Sequence, residues 1–60
     1  RLLRDLFQSY VAEPRQLPPH FQGQLEREGV HRVVCDYIAG MTDRFAVDEH
    51  QKLFDPTVRV

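Results

Sequence analysis

RVVCDYIAGMTDRFA, running from Arg32 to Ala46, is the stretch that decides the fold. With Val30 just ahead of it, Val33, Val34, Tyr37, Ile38, Met41 and Phe45 recur every three or four positions, the spacing of a single apolar helix face. The other face carries Arg32, Asp36, Gly40 and Asp43. One side is thus built for burial, while the other sets two carboxylates around a glycine. Glycine in a helix interior costs about 1 kcal/mol relative to alanine, so Gly40 is expected where another helix or a ligand comes close. The spacing predicts one helix over 30–46.

Working outward, Leu2, Leu3, Leu6, Phe7, Tyr10 and Val11 form two adjacent i, i+4 rows, predicting an amphipathic helix over 1–12. Arg1, Arg4, Asp5, Gln8 and Ser9 fall on its wet side. Pro14 stops it, because a residue before proline avoids the helical region, and Glu13–Gln16 reads as a connector. Pro18 and Pro19 suit the first turn of a helix, predicted over 19–27 with Phe21 and Leu25 as its apolar pair and Gly23 weakening it. Gly29 marks the break before the long helix. Downstream, Asp48 with Gln51 three residues on is a variant of the capping box. It predicts a last helix over 48–54 that buries Leu53 and Phe54. Asp55-Pro56 ends it, and Thr57–Val60 is expected to be a frayed or partner-bound tail. No convincing period-2 alternation is present. The fold class is all-α, a small bundle of three to four helices at about 1–12, 19–27, 30–46 and 48–54.

A chain of 60 residues buries only about 60% of the surface its unfolded form exposes. It opens directly onto a helical pattern, as expected of a piece cut from a longer chain and resting on partners it has lost. The single Cys35 excludes an internal disulfide and a cysteine-based zinc cluster. It suits a reducing compartment, so a cytoplasmic location is expected. A net charge of −1 argues against nucleic-acid binding. No apolar run approaches the roughly 20 residues of a membrane span, and none forms the core of a signal peptide.

Few residues here point to chemistry. His31 and Cys35 have the i, i+4 spacing of paired metal ligands, but two ligands are not a site. Cys35 reads better as a small buried residue and His31 as a polar rim residue. Asp36 and Asp43 would lie about 10 Å apart along a helix axis, too far to share a metal ion. Asp36 instead pairs with Arg32 one turn earlier, and Asp43 and Arg44 are expected to bond to neighbouring elements. Tyr37 reads as a core ring whose hydroxyl reaches a partner or water. Thr42 is expected to bond back to the carbonyl four residues earlier. Arg32 and Arg44 could bind phosphate, yet no glycine-rich cradle accompanies them.

DYIAGMTDRFA, from Asp36 to Ala46, closely resembles a motif near the C-terminus of bacterial deoxyguanosine triphosphate triphosphohydrolases and their relatives. These are metal-dependent HD-domain enzymes that cleave a deoxynucleoside triphosphate to the deoxynucleoside and inorganic triphosphate. LFQSYVAEPRQLPPHFQ upstream, Arg32-Val33-Val34 leading in, and the closing HQKLF extend the resemblance over nearly the whole chain. The His-Asp dipeptide of that family is missing: His20, His31 and His50 precede Phe21, Arg32 and Gln51.

The resemblance therefore implies a C-terminal helical segment of such an enzyme, lying over 1–60 without the catalytic HD domain. No cofactor is expected in this segment, and a divalent metal such as Mg²⁺ or Mn²⁺ is expected in the parent. The implied partners are the remainder of the HD-domain protein, a dNTP substrate and further copies in a homo-oligomer, with no membrane and no DNA. Asp36, Tyr37, Gly40, Met41, Thr42, Asp43 and Arg44 carry the motif with no catalytic role assigned. Val33, Val34, Tyr37, Ile38, Met41 and Phe45 are expected to pack. A small helical protein–protein interaction module is the alternative.

Overall fold

The computed structural model describes residues 1–55. Among them are five α-helices, α1 (Leu2–Ala12), α2 (Pro19–Gln22), α3 (Leu25–Glu28), α4 (Val30–Ala39) and α5 (Asp43–Phe54), with a 3₁₀ turn at Pro14–Gln16. The all-α class read from the sequence is the class observed. Pro56 and the Thr57–Val60 tail lie outside the described residues.

α1 is the element on which the rest is assembled, packing against both α4 and α5. Its rows of apolar residues place Leu6 and Tyr10 at 0% and 1% exposure. From the opposite side come Val33 and Val34 of α4 and Ala46 of α5, and Leu17 of the connector closes the end. Burying a side chain such as Leu6 or Val33 contributes about 1.5–3 kcal/mol each. Around them Leu2, Phe7, Val11, Phe21, Leu25, Val30, Tyr37, Ile38, Met41 and Leu53 are partly buried.

The connector is ordered by two glutamines. The Gln16 amide donates to the Ser9 and Glu13 carbonyls at 3.0 and 3.1 Å, adding to the backbone N–H that each already accepts. The Gln22 amide donates to the Pro14 and Leu17 carbonyls. Leu17 can therefore turn inward without stranding its own backbone.

Three helix boundaries differ from the sequence expectation. The helix expected over 19–27 is two single turns, broken where the Gln24 N–H bonds to the Phe21 carbonyl at 3.0 Å. Gly23 and a thin apolar face leave little to hold one longer helix there. The break expected at Gly29 is observed, the residue adopting φ 88° and ψ 149° between α3 and α4, a conformation essentially reserved for glycine. The larger difference lies in the decisive stretch, where α4 ends at Ala39 instead of running on to residue 46. Gly40 and Met41 close it with N–H bonds to the Tyr37 and Ile38 carbonyls at 3.2 and 3.0 Å.

Thr42 then extends, at φ −77° and ψ 162°, and caps α5 by accepting the Phe45 N–H on its side chain at 3.1 Å. The hydroxyl thus bonds forward, and not back to an earlier carbonyl as the sequence suggested. Asp48, expected as a helix start, is inside α5 and forms an ion pair with Arg44 at 3.4 Å. The final helix consequently gains a turn at its beginning, and the α4–α5 corner falls in the middle of the motif.

Candidate functional site

The corner bounds an open hollow of about 340 Å³ lined by Phe21, Asp36, Tyr37, Gly40, Met41, Thr42 and Phe45. Each side arrives for a local reason. Asp36 and Tyr37 belong to the last turns of α4. Gly40 and Met41 form its closing turn, and Phe45 is in the first turn of α5. Phe21 reaches over from α2, its ring 5.0 Å from that of Tyr37. Tyr37 in turn meets the buried Tyr10 ring edge-on at 5.3 Å, a favoured arrangement of aromatic pairs.

The lining of this hollow is mainly apolar. Asp36 accepts from the Arg32 Nε at 3.3 Å, so its charge is matched at the rim. The Thr42 hydroxyl is committed to its cap. Tyr37 ionises above its usual range, chiefly because it is partly desolvated, with the negative charge of Glu49 nearby adding to the shift. Phe45, expected to be packed, is 43% exposed. The new corner is the cause: α5 takes a direction of its own, and Phe45 leaves the stripe formed by Val33, Val34 and Tyr37.

Of the motif residues singled out in the sequence, the hollow gathers Asp36, Tyr37, Gly40, Met41 and Thr42. It leaves out Asp43, in the first turn of α5 where a carboxylate favours the helix dipole. It also leaves out Arg44, whose pairing with Asp48 is within one helix and not to a neighbouring element.

A second cluster joins α1 to α5. The Tyr10 hydroxyl donates to Glu49 Oε1 at 3.2 Å, and Lys52 pairs with the same carboxylate at 3.1 Å. Burial, with the adjacent Glu49 charge, pushes the Tyr10 phenol far above its ordinary range. One residue further, His50 Nε2 lies 2.9 Å from Asp5 Oδ2. That hydrogen bond holds the Asp5 carboxyl below the usual carboxylate range. The His50 ring also rests on Phe54, with centroids 4.6 Å apart.

Sequence reading missed these pairs because their members are some 40 positions apart, at separations of 39 and 45 residues. The one available signal was that Asp5 and Tyr10, on α1, share that helix with the buried row.

Among the described residues no three His, Cys, Asp or Glu side chains are grouped so as to hold a metal ion. The residues present therefore do not fit the divalent metal that the resemblance implies for the parent. Cys35 was expected to be buried and is exposed. It lines a shallow groove with Leu3, Arg4, Phe7, Ile38 and Ala39 between α1 and α4, one position past the inward-facing Val34. His31 stacks obliquely on Phe7 at 5.8 Å. No helix among the described residues is long and apolar enough to cross a membrane.

Comparison with known proteins matches residues 1–52 to the family described as the phosphohydrolase-associated domain. The chain is 60% identical over all 60 residues to a deoxyguanosinetriphosphate triphosphohydrolase-like protein of Geobacter metallireducens, covering 16% of that protein. It is 57% identical over its whole length to the protein of that name in Geobacter sulfurreducens, again 16% of the longer chain. The Bordetella pertussis protein of the same name is 46% identical over 55 residues, which are 92% of this chain and 14% of that one. The chain thus spans 14–16% of the length of these curated relatives. No solved structure matches it.

Proposed function

We propose, since this chain belongs to the phosphohydrolase-associated domain family, that it serves a deoxynucleoside triphosphate triphosphohydrolase as a structural segment near that enzyme's C-terminus. The parent would hydrolyse dGTP, or another dNTP, to the deoxynucleoside and inorganic triphosphate. The observation that carries this reading is the identity of the whole chain, at 57–60%, to relatives named for that activity. The side chains support a packing role. The motif residues Asp36 and Thr42 are engaged in local bonds.

On this reading the metal, Mg²⁺ or Mn²⁺, and the groups that hold it belong to the remainder of the polypeptide. The enzyme works in the cytoplasm as a homo-oligomer, and this segment packs against its catalytic helices.

The test is triphosphate release from dGTP by the full-length polypeptide with Mg²⁺ or Mn²⁺, as wild type and as Asp43→Ala. Wild type is expected to release triphosphate, and the variant to retain the activity wherever it folds and assembles. The isolated segment is expected to release none. Loss of activity in a folded, assembled Asp43→Ala protein would put catalysis in this segment and overturn its structural role. Absence of activity with any dNTP in wild type would favour a helical interaction module.

A further inference from the structure

Gly40 is not demanded by the fold that contains it. Its φ of −88° and ψ of −1° are open to any residue. A Cβ placed on it would meet only the Tyr37 and Asp36 carbonyl oxygens, at 3.7 and 3.8 Å, which is ordinary contact. Gly29 is the opposite case, since its φ of 88° excuses the missing side chain. Yet Gly40 lines the hollow of about 340 Å³ beside Phe21, Tyr37, Met41 and Phe45. A bare backbone set among apolar side chains leaves room for a neighbour to come closer than any side chain would allow.

We propose that this hollow seats one apolar helix of the same polypeptide, which crosses Gly40 at close range with a small residue of its own at the crossing. The inference rests on the reading that the segment packs against the rest of its parent, and names where it does so. The occupant is taken from the same polypeptide because the relatives matching the whole chain are about six times its length, the chain covering 16% of them. A helix fits better than an extended segment. It satisfies its own backbone groups internally, and the described residues contain no strand whose edge could satisfy them instead. A neutral, apolar face fits better than a charged ligand, because Asp36 at the rim is already matched by Arg32. With glycine at the contact, the two helix axes can lie at the near end of the usual 8–10 Å separation.

The test is hydroxyl-radical footprinting of the full-length polypeptide, native and unfolded, reading oxidation at Met41 and Phe45. Both are expected to react about tenfold more slowly in the native protein than in the unfolded one. Gly40→Leu is expected to restore most of that reactivity with helical circular dichroism unchanged, and Gly40→Ala to restore part of it should the leucine variant fail to fold. Unprotected Met41 and Phe45 in wild type would overturn the proposal, as would full protection surviving in both variants.

If those two are reactive while Leu3 and Phe7 are protected, the segment docks through its α1–α4 groove. The proposal then fails and the packing role stands. If all four react freely, the packing role fails with it. Protection that disappears on dilution to separated subunits would assign the hollow to a second copy and overturn the intramolecular helix.

Discussion

Thr42 turns the chain between two helices by supplying one acceptor to an N–H group that would otherwise face the corner unpaired. Thr42→Ala should therefore cost about 1 kcal/mol, the usual value of such a cap. Faster amide exchange at the start of α5 would show it. The two well-placed glycines should behave oppositely. Gly29→Ala forces a side chain into a glycine-only conformation and should destabilise by about 1–3 kcal/mol. Gly40→Ala should leave the segment itself unchanged or stabilise it by roughly 0.4–1 kcal/mol, by narrowing the unfolded ensemble. Thermal unfolding of the two variants side by side checks both signs.

The cap also shows what could be read in advance. Met41 and Phe45 continue the three-and-four spacing of Val33, Val34, Tyr37 and Ile38, so periodicity alone could not distinguish one long helix from two joined by a tight corner. Asp48 and Gln51 matched a start signal more closely than Thr42 and Phe45 did, yet the backbone turned at Thr42. Ala46 of α5 is buried in one core with Leu6 and Tyr10 of α1, an association with no local trace in the sequence. The pairing of Arg32 with Asp36 was legible because both partners lie one turn apart on one helix.

At the scale of elements, α1 is held to α5 by adjacent residues, Glu49 through Tyr10 and His50 through Asp5. Tyr10→Phe keeps the ring in the core and removes only the hydroxyl, so it should cost about 1 kcal/mol. Lys52 remains to pair with Glu49. The Asp5 contact makes the junction sensitive to acid. The Asp5 carboxyl is depressed in the folded protein, so its contribution is complete above the unfolded value near 3.8 and is lost as pH falls through the lower native value. Wild type and Asp5→Ala should show a gap in unfolding midpoint above the ordinary carboxylate range. It should close as pH drops below about 4.

The segment is slender, 36 × 19 × 17 Å, and among the described residues its core is Leu6, Tyr10, Leu17, Val33, Val34 and Ala46. At about 0.05–0.15 kcal/mol per residue, typical stability for this size is roughly 3–9 kcal/mol. Leu6→Ala removes a fully buried side chain and should cost about 2–5 kcal/mol, a large share of that total. Its signature should be general loss of amide protection across α1, α4 and α5, in contrast to the local effect of Thr42→Ala. Leu3, Phe45, Val47 and Phe54 are each more than two-fifths exposed, at 56%, 43%, 42% and 49%. This apolar surface is shared between α1, which carries Leu3, and α5, which carries the other three.

The dependence of α1 on distant partners bears on how the segment is made. Tyr10 leaves the ribosome 39 residues before Glu49, its hydrogen-bond acceptor. At about 5–20 residues per second, that gap lasts roughly 2–8 s. Until α4 and then α5 emerge, Leu6 and Tyr10 lack those helices to lie against, and the row they form is open to any apolar surface already synthesised. Assembly of the segment can thus finish only when α5 arrives to cover that row.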